Sequence, residues 1–455
     1  VFVAREILGR PTDHSVTVRA LGAQALEVYA EWGAASGTYT GRTAAVSFPA
    51  RTPIELVMDG LAADTPYFYR IRYRTAGAAA FSAGDERRFR TARRSGQAFT
   101  FDVQADPHLD ENSSTTVYAQ TLANMVADQP DFLVDLGDVS MADKCVVQGS
   151  ELCAKPSPPS YEGILARNLL QRSYFERAAH SIPLLMVLGN HEGEAGWLED
   201  GTANNISVWD TQARKTLYAN PRPDGFYTGS SVESPYVGLR EDYYAFQWGD
   251  ALIVVLNPFS YTKRKPTAAT DDDMWQWTLG ETQYRWLRQT LETSTARFKM
   301  VFSHHQVGSS VPEVRGGVAS AQFFEWGGRN LNGSYGFDSR RPGWGKPIHQ
   351  LMVDTGVNIW FHGHDHVYVA EELDGIVYQE VPQPSLARYD SVNSAADYGY
   401  VGTVGVNVFA SSGHLRVSVS PDQLRVEYVR SVPPADETAT RKNGAVVTAY
   451  TVRRR

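Results

Sequence analysis

From Ala98 onward, short apolar runs alternate with helix-length segments, and that alternation constrains the fold more than any other feature of the chain. "AFTFDVQ" is followed by "STTVYAQTLANMVADQ", and "DFLVDL" by a helical stretch around Tyr161 to His180. "PLLMVL", "ALIVVLN", "KMVFS" and "VNIWF" are further strand-length runs, with the helical segments "ETQYRWLRQTLETS" and "KPIHQLMVDTG" between the last three. Strands that alternate with helices join through βαβ units into a layered α/β domain. Residues 1–95 read differently. "SVTVRAL", "LEVYAEWG", "IELVMDGL", "YFYRIRYR" and "RRFRT" are short strands split by turn residues, which predicts a small β-sandwich. The polar stretch Arg90 to Gln97 reads as a linker, so the expected domains are 1–95 and 98–455. After Ile376 strands return, enough for a second sheet packed on the first.

The loops after the α/β strands are chemically uniform. "ADPH" supplies Asp106 and His108, "GDVS" supplies Asp138, and "GNHE" supplies Asn190, His191 and Glu192. "VFSHH" supplies His304 and His305, and "HGHDH" supplies His362, His364 and His366. Ligands of α/β sheets gather at the carboxyl ends of strands. Taken singly, each motif also reads as a turn former or a cap. Five in succession point to one site. Nitrogen and oxygen donors without thiolate suit Mn, Fe, Zn or Co. Two divalent cations about 3.5–4 Å apart need a shared anionic bridge, which a carboxylate or hydroxide supplies.

Charge and composition narrow the function class. A net charge of -8 and a pI near 5.8 argue against a nucleic-acid binder. The apolar runs are too short to span a bilayer, and no protein partner is implied. Cys145 and Cys153 are the only cysteines, and seven residues between them allow a small disulfide-closed loop. That pair, with a chain beginning at Val1 rather than Met, predicts a periplasmic or secreted protein.

The ordered set "DPH", "GD", "GNHE", "VFSH" and "GHDH" resembles the calcineurin-like metallophosphoesterases from Ala98 to about Tyr368. The β-sandwich in front, with "VFSH" and "GHDHVY", is closer to the purple acid phosphatase branch. "GLAADTPYFYRIRYRT" resembles the corner of fibronectin type III-like domains. The resemblance implies two divalent metal ions. The first is held by Asp106, His108, Asp138 and His366, the second by Asp138, Asn190, His304 and His364, with Asp138 bridging. It also implies that His191 faces the substrate as an oxyanion donor or general acid. Two departures stand out: Met141 replaces the tyrosine of the purple enzymes, and His108 is a histidine they lack. Without a tyrosinate ligand Fe(III) is not expected, and Mn is the first choice. His362 precedes the motif's glycine and is expected to support ligands rather than ligate. His14, His180, His349 and His414 read as structural.

Long inserts lie between Glu192 and Asp242 and between Gln306 and Lys346. In and near them are Trp275, Trp277, Phe323, Phe324, Trp326, Phe337 and Trp344, which read equally as a satellite core or as an apolar mouth for greasy esters. Arg264, Arg315, Arg329, Arg341 and Lys346 are the candidate phosphate clamps, although none sits within a motif. The whole chain resembles bacterial haloalkylphosphorus phosphotriesterases, which implies small-molecule haloalkyl and aryl phosphate triesters as substrates, attacked at phosphorus by hydroxide made at the metal pair. The alternatives are a phosphomonoesterase or phosphodiesterase of purple acid phosphatase type, and a non-catalytic metal-stabilised scaffold.

Overall fold

The structure, a computed structural model, describes residues 1–110, 112–142, 160–392 and 395–453. Cys145 and Cys153 lie outside the described residues. Two large sheets enclose the main core. The first runs Val446–Arg453, Gln423–Arg430, Gly413–Val419, Phe99–Gln104, Leu133–Asp135, Leu184–Met186, Phe2–Gly9, Val16–Gly22, Pro53–Met58. The second runs Thr228–Gly229, Tyr244–Trp248, Ala251–Val255, Phe298–Phe302, Ile359–His362, Ile376–Glu380, Tyr368–Leu373, Val408–Phe409. Phe101, Val134 and Leu185 from the first sheet share one buried cluster with Ile253, Phe302 and Phe361 from the second.

Helices cover the outer faces. Thr115–Asp128 and Tyr161–Phe175 pack on Leu133, Leu184 and Met186. Ser114 and Ser160 start these helices by accepting the N–H groups of Val117 and Gly163, two of the donors a helix start leaves unpaired. On the other side Glu281–Thr293 buries Tyr284, Leu287 and Leu291, the helical spacing that faces one stripe inward. Among the described residues no helix is long and apolar enough to cross a membrane.

The strands at the centre are parallel: Phe99–Gln104 with Leu133–Asp135 and then Leu184–Met186, and Ala251–Val255 with Phe298–Phe302, Ile359–His362 and Ile376–Glu380. Parallel neighbours all point their carboxyl ends the same way, so the motif loops emerge together.

Two features differ from the sequence expectation. Of the strands from Ile376 onward, only Ile376–Glu380 and Val408–Phe409 join the second sheet among the described residues. Gly413–Val419 pairs antiparallel with Phe99–Gln104 instead, and widens the first sheet. Without it Phe99–Gln104 would be an edge strand with unpaired backbone groups. The N-terminal strands also join that sheet, through parallel pairing of Gly9 with Leu184. The other face of Phe2–Gly9, Val16–Gly22 and Pro53–Met58 packs on the sheet built around Leu26–Gly33 and Pro66–Thr75, burying Val18, Val28, Leu56 and Tyr69. This is the predicted β-sandwich. Its corner is closed by the Ala62 N–H, which donates to the Tyr67 hydroxyl at 2.9 Å.

Candidate metal centre

Two motif glycines allow a close approach of neighbouring loops. A Cβ on Gly189 would sit 2.3 Å from Asp138 Oδ1, and one on Gly363 would sit 2.5 Å from Asp106 Oδ2. These glycines let the loops close around the two carboxylates. Glu192 then fastens two loops together. Its carboxylate accepts the N–H groups of Asp138 at 3.0 Å and Ser140 at 3.2 Å, and also those of Val139 and Gly189.

The result is a convergence of every ligand candidate. One oxygen of each carboxylate is anchored by backbone: Asp106 Oδ2 accepts the His364 N–H and Asp138 Oδ1 the His191 N–H, both at 2.8 Å. The other oxygens face imidazole nitrogens. Asp106 Oδ1 lies 3.5 Å from His108 Nε2, 3.4 Å from His366 Nε2 and 3.8 Å from His304 Nε2. Asp138 Oδ2 lies 3.3 Å from His108 Nε2 and 3.4 Å from His304 Nε2. His304 Nε2 is also 2.9 Å from Asn190 Oδ1 and 3.2 Å from His364 Nδ1. Two groups, Asp106–His108–His366 and Asp138–His304–His364, each bring one ligand atom per residue within 4.8 Å of the others.

These residues fit a pair of cations. Asp106 Oδ1 and His108 Nε2 are buried with no hydrogen-bond partner among the described residues. Three imidazoles have their outer nitrogen tied to an acceptor: His108 Nδ1 to Asp110 at 3.1 Å, His304 Nδ1 to the Leu136 carbonyl at 2.9 Å, and His364 Nε2 to the Glu313 carbonyl at 2.9 Å. With the proton on those outer nitrogens, the inner lone pairs are free to ligate. Burial by itself would raise Asp106 and Asp138, yet His304 and the neighbouring imidazoles hold both carboxyls well below their usual range. Burial likewise opposes charge on His304, but Asp138 and then Asp106 raise it to about 9. The cluster thus draws positive charge inward, the field that divalent cations satisfy.

A calcineurin-like phosphoesterase family profile matches residues 99–368, the segment that carries all five motifs. The chain belongs to this family. Membership implies a binuclear divalent metal centre, and the two Asp/His groups could each hold a metal ion. The fold is similar to a solved structure of PhoD, with a TM-score of 0.69 and 16% identity over 100% of this chain and 90% of that one. It is also similar to purple acid phosphatase PPD1 from yellow lupin (Lupinus luteus) seeds, with a TM-score of 0.62 and 14% identity over 99% of this chain and 74% of that one. At such identities the likeness concerns fold alone. No curated protein matches the chain in sequence.

Around the phosphoesterase centre, other residues find distinct places. His362 stands outside both Asp/His groups: its ring stacks on Trp360 at 4.0 Å and its Nδ1 lies 2.6 Å from Glu380 Oε2. His305 is packed edge-on against Phe259 and Trp277, and burial followed by His304 lowers it to about 3, so it stays neutral. Asp110 and Glu192 have site roles that sequence reasoning did not assign. The only signal for Asp110 is an acid two residues after a ligand histidine.

The inserts settle the aromatic question in favour of a core. Trp275, Trp277, Phe324, Trp326, Phe337 and Trp344 are buried together under the second sheet, with Phe323 packed beside them. They do not form an open apolar mouth. Among the candidate clamps, Arg264 pairs with Asp273, Arg341 with Glu325, Lys346 with Asp354, and Arg329 donates to the Gly333 carbonyl. Arg315 does reach the centre. It donates to the His364 carbonyl at 2.9 Å and pairs with Asp365 at 2.7 Å.

Proposed function

We propose that this phosphoesterase hydrolyses small-molecule phosphate esters at a pair of divalent cations, Mn before Fe, Zn or Co, and favours neutral haloalkyl or aryl triesters over monoester dianions. The observation that carries hydrolysis is the convergence of two Asp/His groups around unpartnered buried donors. In this reading Asp106, His108, Asp138 and His366 hold one cation, and Asp138, Asn190, His304 and His364 hold the other. Asp138, within reach of histidines from both groups, would be common to the two sets. When bound, such a pair supplies Lewis acidity toward a phosphoryl oxygen and lowers the pKa of water.

The protein's own residues orient and protonate. Among the histidines of the set His191 and His366 are the least buried, at 14% and 26% side-chain exposure, so they mark the side from which an ester arrives. His191 Nε2 is 4.0 Å from Asp138 Oδ2, and its backbone N–H fixes the carboxylate. The imidazole is placed to donate a hydrogen bond to charge developing on the phosphoryl group or a proton to the departing alkoxide.

The triester preference rests on charge. Arg315 is already paired with Asp365 and Glu313, which leaves little cationic field for a dianion. The buried aromatics lend it no support. A phosphatase acting on monoesters is the second reading, favoured by the fold shared with the lupin purple acid phosphatase. Second-order rate constants for matched aryl triester, diester and monoester substrates, measured on metal-loaded protein, separate the two. Triester preference is expected. A monoester preference of about tenfold or more, roughly 1.4 kcal/mol in the barrier, would assign the chain to the phosphatase reading.

A further inference from the structure

A second ionisable cluster lies apart from this centre. Asp102, on the strand Phe99–Gln104, is fully buried, and neither of its carboxylate oxygens has a hydrogen-bond partner among the described residues. Two residues face it. His414 comes from the antiparallel neighbour Gly413–Val419, and Asp128 is the last residue of the helix Thr115–Asp128. His414 Nε2 lies 2.8 Å from Asp128 Oδ2 and 3.9 Å from Asp102 Oδ2. One ligand atom from each of the three falls within 4.8 Å of the others. Four residues of extended chain, on the order of 13 Å, separate Asp102 from Asp106.

A buried carboxylate without a donor is unfavourable unless it is neutralised or paired. Arg416 does not serve Asp102. Its Nη1 pairs with Asp128 Oδ1 at 2.7 Å, and its Nη2 pairs with Glu427 at 2.7 Å. That arrangement leaves Asp128 Oδ2 turned toward His414.

We propose that Asp102, Asp128 and His414 form a third cation site, which takes one zinc-like dication through two carboxylate oxygens and one imidazole nitrogen. Two carboxylates and a neutral imidazole balance the ion's charge, and an oxygen and nitrogen donor set of this kind suits Zn or Mn. Arg416 orients Asp128 from behind, as hydrogen-bonded outer groups do for metal-bound carboxylates. Asp128 also lines a groove of about 360 Å³ with Thr100 and Ser418, while Asp102 and His414 lie buried behind it. The cation would tie the strand leading to Asp106 to a helix and to the C-terminal strands. His414 then has a ligand's role rather than the purely structural one expected of it.

The test counts metal. Full-length protein is stripped with a chelator, reloaded with Zn(II), desalted and assayed by mass spectrometry for ions per chain. Asp102→Asn keeps the side chain's shape while removing its charge, and His414→Gln removes the imidazole. Each is expected to hold one equivalent fewer than wild type, with three falling to two. Zinc is also expected to raise the melting temperature of wild type further than that of Asp102→Asn. An equal count in wild type and both variants overturns the proposal, whatever the total. Failure of the binuclear centre would lower all three counts together and leave the one-equivalent difference in place.

Discussion

Asp110→Asn isolates how one imidazole is prepared to bind metal. Asp110 Oδ2 lies 3.1 Å from His108 Nδ1, while Oδ1 accepts the Asn112 N–H at 2.9 Å and the Ser113 hydroxyl at 3.1 Å. In the asparagine variant the amide oxygen stays with those two donors, so the NH₂ group faces His108 Nδ1. An NH₂ donor needs an acceptor, which forces the imidazole proton onto Nε2. Nε2 is the atom turned toward Asp106 and Asp138, and a protonated nitrogen cannot ligate. Recovering the ligating tautomer sets two N–H donors against each other and forfeits a charge-assisted hydrogen bond of roughly 1.5–3 kcal/mol. The expected loss in metal affinity is therefore about 10–100-fold, the range typical of outer-shell partners. Competition against a chromophoric chelator, with Mn(II) and Zn(II), measures it. Asp110→Ala makes the comparison sharp, because it leaves a space that water can fill without enforcing the wrong tautomer, so it should bind metal at least as well as Asp110→Asn. Affinity of Asp110→Asn within about threefold of wild type, or an alanine variant clearly worse than the asparagine one, would refute the tautomer mechanism.

Glu192→Gln replaces one acceptor oxygen by a donor that faces two backbone N–H groups, and should cost roughly 2–6 kcal/mol of stability in chemical denaturation, at about 1–3 kcal/mol per unsatisfied donor; a loss below about 1 kcal/mol would show that the loops do not depend on it. His191→Ala should keep its full metal complement yet lose about 10²–10⁴-fold in turnover, more for esters with poor leaving groups, and an equal loss across leaving groups would remove the acid role. Burial, then Arg87, lowers His180 to about 4, whereas the unfolded imidazole takes its proton near the ordinary value of about 6.5. Between those values the unfolded chain binds more protons, so stability should fall as pH drops from about 6.5 toward 4, and the slope should flatten in His180→Gln if the assignment holds.

How much of this was legible beforehand depends on where each determinant lies along the chain. The candidate ligands that converge were legible because metal binding demands residue types, and the parallel strands place those types immediately after apolar runs such as "VNIWF" and "PLLMVL". Asp110 and Glu192 were not, since an acid in "HLDENSS" or "GNHE" also reads as a solvated turn residue. Only the folded loops show that Glu192 meets the N–H groups of Asp138, Val139 and Ser140 from a second motif. The insert aromatics illustrate a different limit. Composition cannot distinguish a mouth from a core, because both need the same side chains, and it is the second sheet that buries Trp326 and Trp344. Sheet order was equally hidden: Gly9 meets Leu184, and Gly413–Val419 meets Phe99–Gln104, across long stretches of intervening chain.

The site's backbone explains why strand periodicity alone could not have aimed its ligands. Asp106, His108, Asp138, His364 and His366 all have positive φ, between 50° and 84°. None is glycine, and each such residue costs on the order of 1–3 kcal/mol of backbone strain. In a regular strand alternate residues share a face, so His362, His364 and His366 would form one stripe. Instead the strand stops at His362, which stacks on Trp360, and the two residues in left-handed backbone turn to a common centre. Such strain persists only where surrounding contacts over-determine it. Here the Glu192 clamp, the His364 N–H on Asp106 and the His191 N–H on Asp138 do so. These three contacts are made by the chain itself and fix the orientation of both carboxylates. A bound pair would then gain from preorganised donors rather than having to order the loops, which is why the outer contacts bear on metal affinity as much as the ligands they support.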